Sequence, residues 1–441
     1  AAPGRGDVVL PGKQRVYVKT YGCAHNSSDS EFMMGLLHDY GYVLADGLED
    51  ADACIVNSCT VKNPSQDSAT NLVKRARDLG KPVVLSGCVP SADASLAESF
   101  RDVSMLGVTQ LDRVVEVVEE ALNGHVVHLL GKRRAMPSLD LPKVRRNKWV
   151  EIIPISGGCL GNCSYCKTKH ARGKLSSYTE EAIVGRALQA ASEGTTEVWL
   201  TSEDTGAYGL DIGTNIANLL KRVADSVPPG VMLKLGMTNP PYMLAHIDAV
   251  AEVLRRPNVF AFIHVPVQSG SDQVLQAMVR EYSSEDFRRL VGGLRTAVPD
   301  LMVATDVICG FPTESEEDHQ LSMELVREFR FPVLNISQFY PRPGTSAARM
   351  RKLPGSTVKR RSTEMTQLFE SYETHGALAG REERVWFSDT DLRHGQTVGH
   401  TKGYAKVVVD RNDELLGKSA MVKVERTTKW HVEGHILRMV P

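Results

Sequence analysis

The chain has 441 residues, with 52 Lys and Arg against 53 Asp and Glu and a formal net charge of −1. That length allows two or three domains, and the near-neutral balance excludes a globally basic nucleic-acid binder, so any RNA contact must rest on local patches. Eight cysteines in a chain this long are not a disulfide framework, and no apolar run reaches the roughly 18 residues needed to span a membrane.

The stretch RVYVKTYG at 15–22 is β-branched and aromatic and ends on turn residues, which predicts a strand. A helix is expected over 28–41, with Met33, Leu36, Leu37 and Tyr40 at helical spacing and a glycine to stop it. ACIVNSC (53–59) reads as a second strand. A second helix over 64–80 carries Leu72, Val73, Ala76 and Leu79 on one face, and PVVLSGC (82–88) reads as a third strand. Strands alternating with helices imply a parallel sheet.

Each of these strands delivers a cysteine at its C-terminal end: Cys23, Cys59 and Cys88. In a parallel α/β sheet those ends share one edge, where ligands bind. The three thiols are therefore expected to meet in space; the competing reading is three separate cysteines buried as small hydrophobes. Cys54, inside the second strand, reads as core. Asn26 and Asn57 are either donors to sulfur or loop structure. A short strand at 103–108 and an amphipathic helix at 111–124 complete a domain expected to span 14–130. A linker over 131–148 brings Lys143, Arg145, Arg146 and Lys148 close together, as a solvated face or as contacts for RNA phosphates.

The next stretch is Cys159-Leu160-Gly161-Asn162-Cys163-Ser164-Tyr165-Cys166. Thiolates are soft ligands that select iron–sulfur clusters, zinc or Cu(I). A [4Fe–4S] cube usually takes four cysteines. Here there are three, with no further cysteine before Cys309, which leaves one iron open for a substrate or cofactor. Gly161 is expected to take positive φ so that the loop folds tightly. A Cys3His zinc site using His170 is the alternative.

Six strand candidates follow at 149–155, 197–204, 232–239, 260–268, 302–309 and 332–340, most separated by helical patterns. They predict a partial or complete barrel within 149–380, with its site at the C-terminal strand ends. Those ends are polar: Ser202, Glu203 and Asp204, then Asn239, Gln268 and Ser269, with Asp306 inside the fifth strand. Ligand contacts and plain loop caps are both open readings. Lys167, Lys169, His170 and Arg172 form either a basic rim for an anticodon loop or ordinary surface charge. The run QFYPRPG at 338–344 suits base stacking or core packing. Cys309 reads as core. A long amphipathic helix over 355–380 leads to 381–441, where five short strands at 384–388, 396–400, 405–410, 419–426 and 431–438 suggest a small barrel of the kind that binds RNA. Eleven Lys and Arg against nine Asp and Glu there are too small an excess to argue RNA binding alone.

C-x3-C-x2-C with an aromatic residue before the last cysteine resembles the radical S-adenosylmethionine (SAM) enzymes. TYGC at 20–23, LTSEDTGAYG at 200–209, and QSGSD at 268–272 with M-x-R-x-Y at 278–282 narrow the resemblance to the methylthiotransferases. KTKHARG at 167–173 is similar to the eukaryotic and archaeal branch that modifies threonylcarbamoyladenosine in tRNA.

The resemblance implies an α/β protein in three parts. A Rossmann-like N-terminal domain binds a second [4Fe–4S] cluster through Cys23, Cys59 and Cys88. A central radical SAM (βα)6-type partial barrel holds a cluster on Cys159, Cys163 and Cys166 whose open iron binds SAM. A C-terminal TRAM β-barrel contacts tRNA. It implies that Glu203 meets the SAM amino group and that Gln268 and Asp306 meet its ribose and carboxylate. Tyr165 packs on the adenine, shields the cluster, or simply packs.

The implied chemistry has no catalytic residues beyond the clusters. An electron cleaves SAM to methionine and a 5′-deoxyadenosyl radical, which takes the hydrogen from carbon 2 of the adenine at tRNA position 37. Sulfur comes from the Cys23/Cys59/Cys88 cluster and the methyl group from a second SAM. The implied partners are the tRNA anticodon stem-loop, an electron donor and a sulfur source, with no DNA and no membrane segment in this chain. The expected location is cytoplasmic, or the endoplasmic reticulum surface if the natural chain continues into a C-terminal tail. The alternatives are sibling enzymes acting on isopentenyladenosine in tRNA or on a ribosomal-protein aspartate, and an RNA-binding protein whose clusters are structural.

Overall fold

The computed structural model describes residues 12–60, 63–92, 98–131 and 136–440; part of the expected linker, 132–135, lies outside them. The first domain is a six-stranded parallel sheet in the order β2-β1-β3-β4-β5-β6. Its strands are β1 (Arg15–Thr20), β2 (Val43–Leu44), β3 (Ala53–Ser58), β4 (Val83–Gly87), β5 (Ser104–Gly107) and β6 (His128–Leu129). The two-residue strands β2 and β6 are too short for periodicity to reveal. Because β1, β3 and β4 are adjacent and parallel, the chain leaves all three at one edge, and Cys23, Cys59 and Cys88 follow there.

The first helix, Ala24–Tyr40, starts directly after Cys23, four residues earlier than the periodicity suggests. Its opening residues Asn26, Ser28, Asp29, Ser30 and Glu31 are polar yet buried. This turn is pressed between two domains, so no apolar stripe marks it. Gly41 ends the helix in the left-handed region at φ 118°, its N–H bonded to Leu37 O and His38 O, a common glycine stop.

The linker lies directly on this helix. A Cβ at Gly35 would sit 2.1 Å from Pro142 O. Neither expected role for its charges holds for Lys143 and Arg145. The Lys143 ammonium is buried, 2.8 Å from Glu151 Oε1 and 3.2 Å from Glu31 Oε2. Arg145 reaches Glu151 and Glu193, each at 2.5 Å, and Arg186 adds a further contact to Glu151 at 3.1 Å. Burial pushes the Glu151 carboxyl up, but Lys143 and Arg186 outweigh it and hold the group at about 2. At Glu31 burial wins and the carboxyl is raised. The run is an internal bolt joining the N-terminal helix to the central domain; only Arg146 and Lys148 remain exposed.

The central domain has six parallel strands in chain order. They are β7 (Val150–Pro154), β10 (Glu197–Thr201), β11 (Met232–Leu235), β12 (Phe262–His264), β13 (Met302–Cys309) and β14 (Val333–Gln338). A minor antiparallel pair, β8 (Ser156–Gly157) and β9 (Ser176–Ser177), brackets the cysteine loop. Two three-stranded sheets, β7-β10-β11 and β12-β13-β14, are joined by the parallel bridges Leu233↔Val259 and Met237↔His264. The result is a (βα)6 partial barrel wrapped by helices whose apolar faces fill one continuous core.

The last domain is a closed barrel, β15-β16-β17-β19-β18, of β15 (Glu382–Asp391), β16 (Gln396–Thr401), β17 (Lys406–Asp410), β18 (Lys418–Thr427) and β19 (Val432–Val440). Val385, Phe387, Val407, Val409, Val422 and Val424 alternate into its interior. Trp386, Tyr404 and Ala405 pack on Met232, Phe260, Phe262 and Met302, residues at the beginnings of the central strands. The barrel is therefore seated at the opposite end of the central domain from the cysteine loop. No helix among the described residues is long and apolar enough to cross a membrane.

Candidate functional site

The loop after β7 carries the central cysteines and is pinned at several points. Ser164 N–H donates to Met278 O and Ser164 Oγ to Ala277 O, both at 2.9 Å. Ala347 N–H in turn donates to Ser164 O at 2.9 Å. The positive φ expected at Gly161 falls instead on Gly158, at 75°. What Gly161 supplies is space: a Cβ there would stand 3.7 Å from Cys163 Sγ and 3.8 Å from Cys159 Sγ, between the thiols. Tyr165 packs edge-on against Phe311 at 6.5 Å while also lining the cavity.

Both cysteine sets open on one cavity of about 990 Å³. Cys23 and Cys59 line it from the N-terminal domain, and Cys159, Cys163 and Cys166 from the central one. Cys88 stands behind, buried, 3.6 Å from Asn26 Oδ1. Gly22 at φ 111° lets the chain turn in beside Cys59; a Cβ there would lie 2.7 Å from Cys59 Sγ. Among the described residues, no three His, Cys, Asp or Glu side chains converge as ligands of one metal ion. A cube needs its thiols spread around a wider body, so the sulfur-rich donor set and the space kept by Gly161 fit an iron–sulfur cluster.

The charge around the thiols is arranged by two arginines. Burial pushes the Cys88 and Cys159 thiols up to about 12. Burial also raises Cys23 and Cys163, and Arg172 opposes it at Cys23 and Cys88, as Arg280 does at Cys163. Arg280 Nη1 donates to Cys163 Sγ at 3.1 Å and Nη2 donates to Asn239 Oδ1. Asn239 Nδ2 then donates to Asp204 Oδ2 at 2.7 Å. This Asp204–Asn239–Arg280 relay was not read from the sequence, although Arg280 stood inside the M-x-R-x-Y motif. Burial lifts the Asp204 carboxyl to about 6.

The other candidates fall as follows. Glu203 Oε1 lies 2.9 Å from His25 Nδ1 and 3.0 Å from Arg172 Nε. Glu203 Oε2 is buried with no hydrogen-bond partner among the described residues. Gln268 lines the cavity at φ 67°, its N–H bonded to Asp306 O. Asp306 Oδ1 contacts His264 Nε2 at 3.0 Å and accepts from Asn335 Nδ2 at 2.7 Å. Asn26 and Asn57 do not turn their amide donors to sulfur: Asn26 Nδ2 serves Tyr21 O and Ser58 O, and Asn57 Nδ2 serves Asn26 O and Ser30 Oγ. The basic rim after the cysteines is reduced to Lys169 and His170. Arg172 is buried in ion pairs and Lys167 is buried on Ala92 O. Phe339, from the expected stacking run, packs on Phe311.

Residues 15–107 match the Uncharacterized protein family UPF0004, 153–326 the Radical SAM superfamily and 377–437 the TRAM domain. A relative from Drosophila pseudoobscura pseudoobscura, named threonylcarbamoyladenosine tRNA methylthiotransferase, is 51% identical over 97% of this chain and 78% of its own length. The chain belongs to the threonylcarbamoyladenosine tRNA methylthiotransferase family. An archaeal member from Pyrococcus abyssi, named a probable enzyme of that activity, is 35% identical over 96% of this chain and 99% of its own. The family's fold extends to more distant structures. A radical SAM methyltransferase, TsrM from Kitasatospora setae, solved with cobalamin and a [4Fe-4S] cluster, superposes with a TM-score of 0.55 at 16% identity, over 78% of this chain and 80% of that one. The chain is thus a radical SAM enzyme of the methylthiotransferase kind with a C-terminal TRAM barrel.

Proposed function

We propose that the protein converts N6-threonylcarbamoyladenosine at tRNA position 37 to its 2-methylthio derivative, using two [4Fe–4S] clusters and SAM. Cys159, Cys163 and Cys166 hold the cluster that binds SAM, and Cys23, Cys59 and Cys88 hold the second. The observation that carries the reading is that Cys23 and Cys59, with Cys88 buried behind them, open on the same cavity as Cys159, Cys163 and Cys166. When bound, the clusters and SAM supply radical cleavage, sulfur and the methyl group, while the protein supplies binding and orientation.

The chain's own residues have distinct parts. Glu203 Oε2, buried and without a hydrogen-bond partner among the described residues, receives the SAM ammonium. Gln268 and Asp306, on the facing wall, take the ribose and carboxylate, and Tyr165 covers the cluster side. Arg172 and Arg280 place positive charge beside the two thiol sets and favour thiolate over thiol. An anticodon loop presents the base, with an electron donor and a sulfur source acting in turn, and the TRAM barrel takes a further part of the tRNA.

The test is anaerobic reconstitution with iron and sulfide. The intact chain should hold about eight irons and a Cys159/Cys163/Cys166→Ala variant about four, one cube per triplet. SAM, reductant and tRNA bearing threonylcarbamoyladenosine should then yield the methylthio nucleoside. About four irons in the intact chain, all lost in the variant, would remove the second cluster from the reading.

A further inference from the structure

Lys143 and Arg145 of the linker's basic run are consumed internally; most of a second basic run is not. From Arg342 to Arg361 the chain carries seven Lys and Arg and no Asp or Glu, in a molecule of net charge −1. Arg360 and Arg361 are tied to Glu314, Glu316 and Glu364. Arg349, Arg351, Lys352 and Lys359 are exposed and form no ion pair among the described residues.

The segment that carries these four cations borders the cavity at both of its ends, through Arg342 before it and Ser362 and Thr366 after it. Ser346 Oγ donates to Ser164 O at 3.2 Å, beside Ala347 N–H on the same oxygen, so the segment is fastened to the cysteine loop itself. Ala347 is buried and Met350 packs in the cluster that includes Tyr165 and Phe311. Those residues turn inward and leave Arg349, Arg351 and Lys352 outward. Lys359 shares a helical face with Ser362 and Thr366, at i+3 and i+7, and both of those line the cavity.

We propose that Arg349, Arg351, Lys352 and Lys359 form a phosphate rail that grips the backbone of the RNA strand whose base enters the cavity. The inference rests on the reading that RNA is the substrate. Exposed cations without carboxylate partners attract phosphate regardless of base, and so set the register of a strand without reading its sequence.

The test uses the reconstituted full chain, a stem-loop RNA bearing threonylcarbamoyladenosine, and the same RNA unmodified. Binding is followed by anisotropy across a salt series for the parent and for an Arg349→Ala/Arg351→Ala/Lys352→Ala/Lys359→Ala variant. Every phosphate deprived of its cation should flatten the slope of log Kd against log salt by about 0.7–0.9, so the variant should lose about three units of slope on both RNAs and bind at least about tenfold more weakly near 0.15 M salt. Its iron content and SAM binding should match the parent's. An unchanged slope with intact iron content overturns the rail. A variant that keeps RNA binding but loses affinity for polyglutamate assigns the strip to an acidic protein partner and also overturns it. A parent that binds neither RNA defeats the substrate reading and the rail together, whereas a parent that binds and makes product beside an unaltered variant defeats the rail alone.

Discussion

Arg172 of the central domain donates to Asn26 Oδ1 of the N-terminal domain at 2.8 Å. The same guanidinium meets Asp29 at 2.5 Å and Glu203 at 3.0 Å, with all three side chains buried. Arg172→Met therefore takes the guanidinium from two buried carboxylates and leaves both facing His25 alone, and a loss of about 3–5 kcal/mol is expected in urea unfolding of the apo chain. Arg172→Lys keeps the charge but not the planar fork and should fall between parent and Met variant. Equal stability of the Met variant and the parent would contradict this account.

Gly161 yields a sharper prediction because its φ is ordinary. Gly161→Ala should leave the apo chain's stability within about 0.5 kcal/mol. After reconstitution the same variant should fall from about eight irons to about four, since the new methyl group occupies the space between Cys159 and Cys163. Full iron loading would show that this space is not needed.

Lys143→Met tests the bolt beneath the linker. Glu151 keeps Arg145 and Arg186, but Glu31 loses its ion-pair partner. The expected cost is about 3–5 kcal/mol, read as a lower urea midpoint. A change under about 1 kcal/mol would return Lys143 to the status of surface charge.

Acid should loosen the seat of the C-terminal barrel. His400 stacks flat on Tyr404 at 4.1 Å, and its Nδ1 is buried with no partner among the described residues. Burial, with Lys234 and Lys406 nearby, lowers its pKa to about 3. The unfolded ring binds a proton below about 6.5 while the folded ring does not. The stability this group contributes is thus complete above that pH and drains as pH falls toward 3, by at most about 1.4 kcal/mol per pH unit. His400→Phe should flatten the pH dependence of melting between 6.5 and 5 relative to the parent. Parallel curves would rule the ring out as the source.

The sequence carried the strand–helix alternation and the cysteines at strand ends, because both are local patterns whose geometry is imposed by parallel pairing. It did not carry what depends on partners distant in the chain. Lys143 reads as one more base in a charged run, whereas the fold sets it between Glu31 and Glu151. Arg172 looked like part of a rim because nothing near it in sequence pairs with it. The early start of the Ala24–Tyr40 helix was hidden for the same reason: its polar first turns are buried by another domain. Gly161 was identified as necessary, but through φ rather than through the room its missing side chain leaves.

The bolt of Lys143, Glu31, Glu151 and Arg186, together with Arg172, fixes the N-terminal domain against the central one through charges sealed from water. The gap between the two cysteine triplets is therefore set once, when the chain folds, and not anew at each encounter. Opening that gap would mean unpairing buried ions, a toll of several kcal/mol, so adjustment falls to whatever enters. The molecule behaves as a jig rather than a pair of jaws.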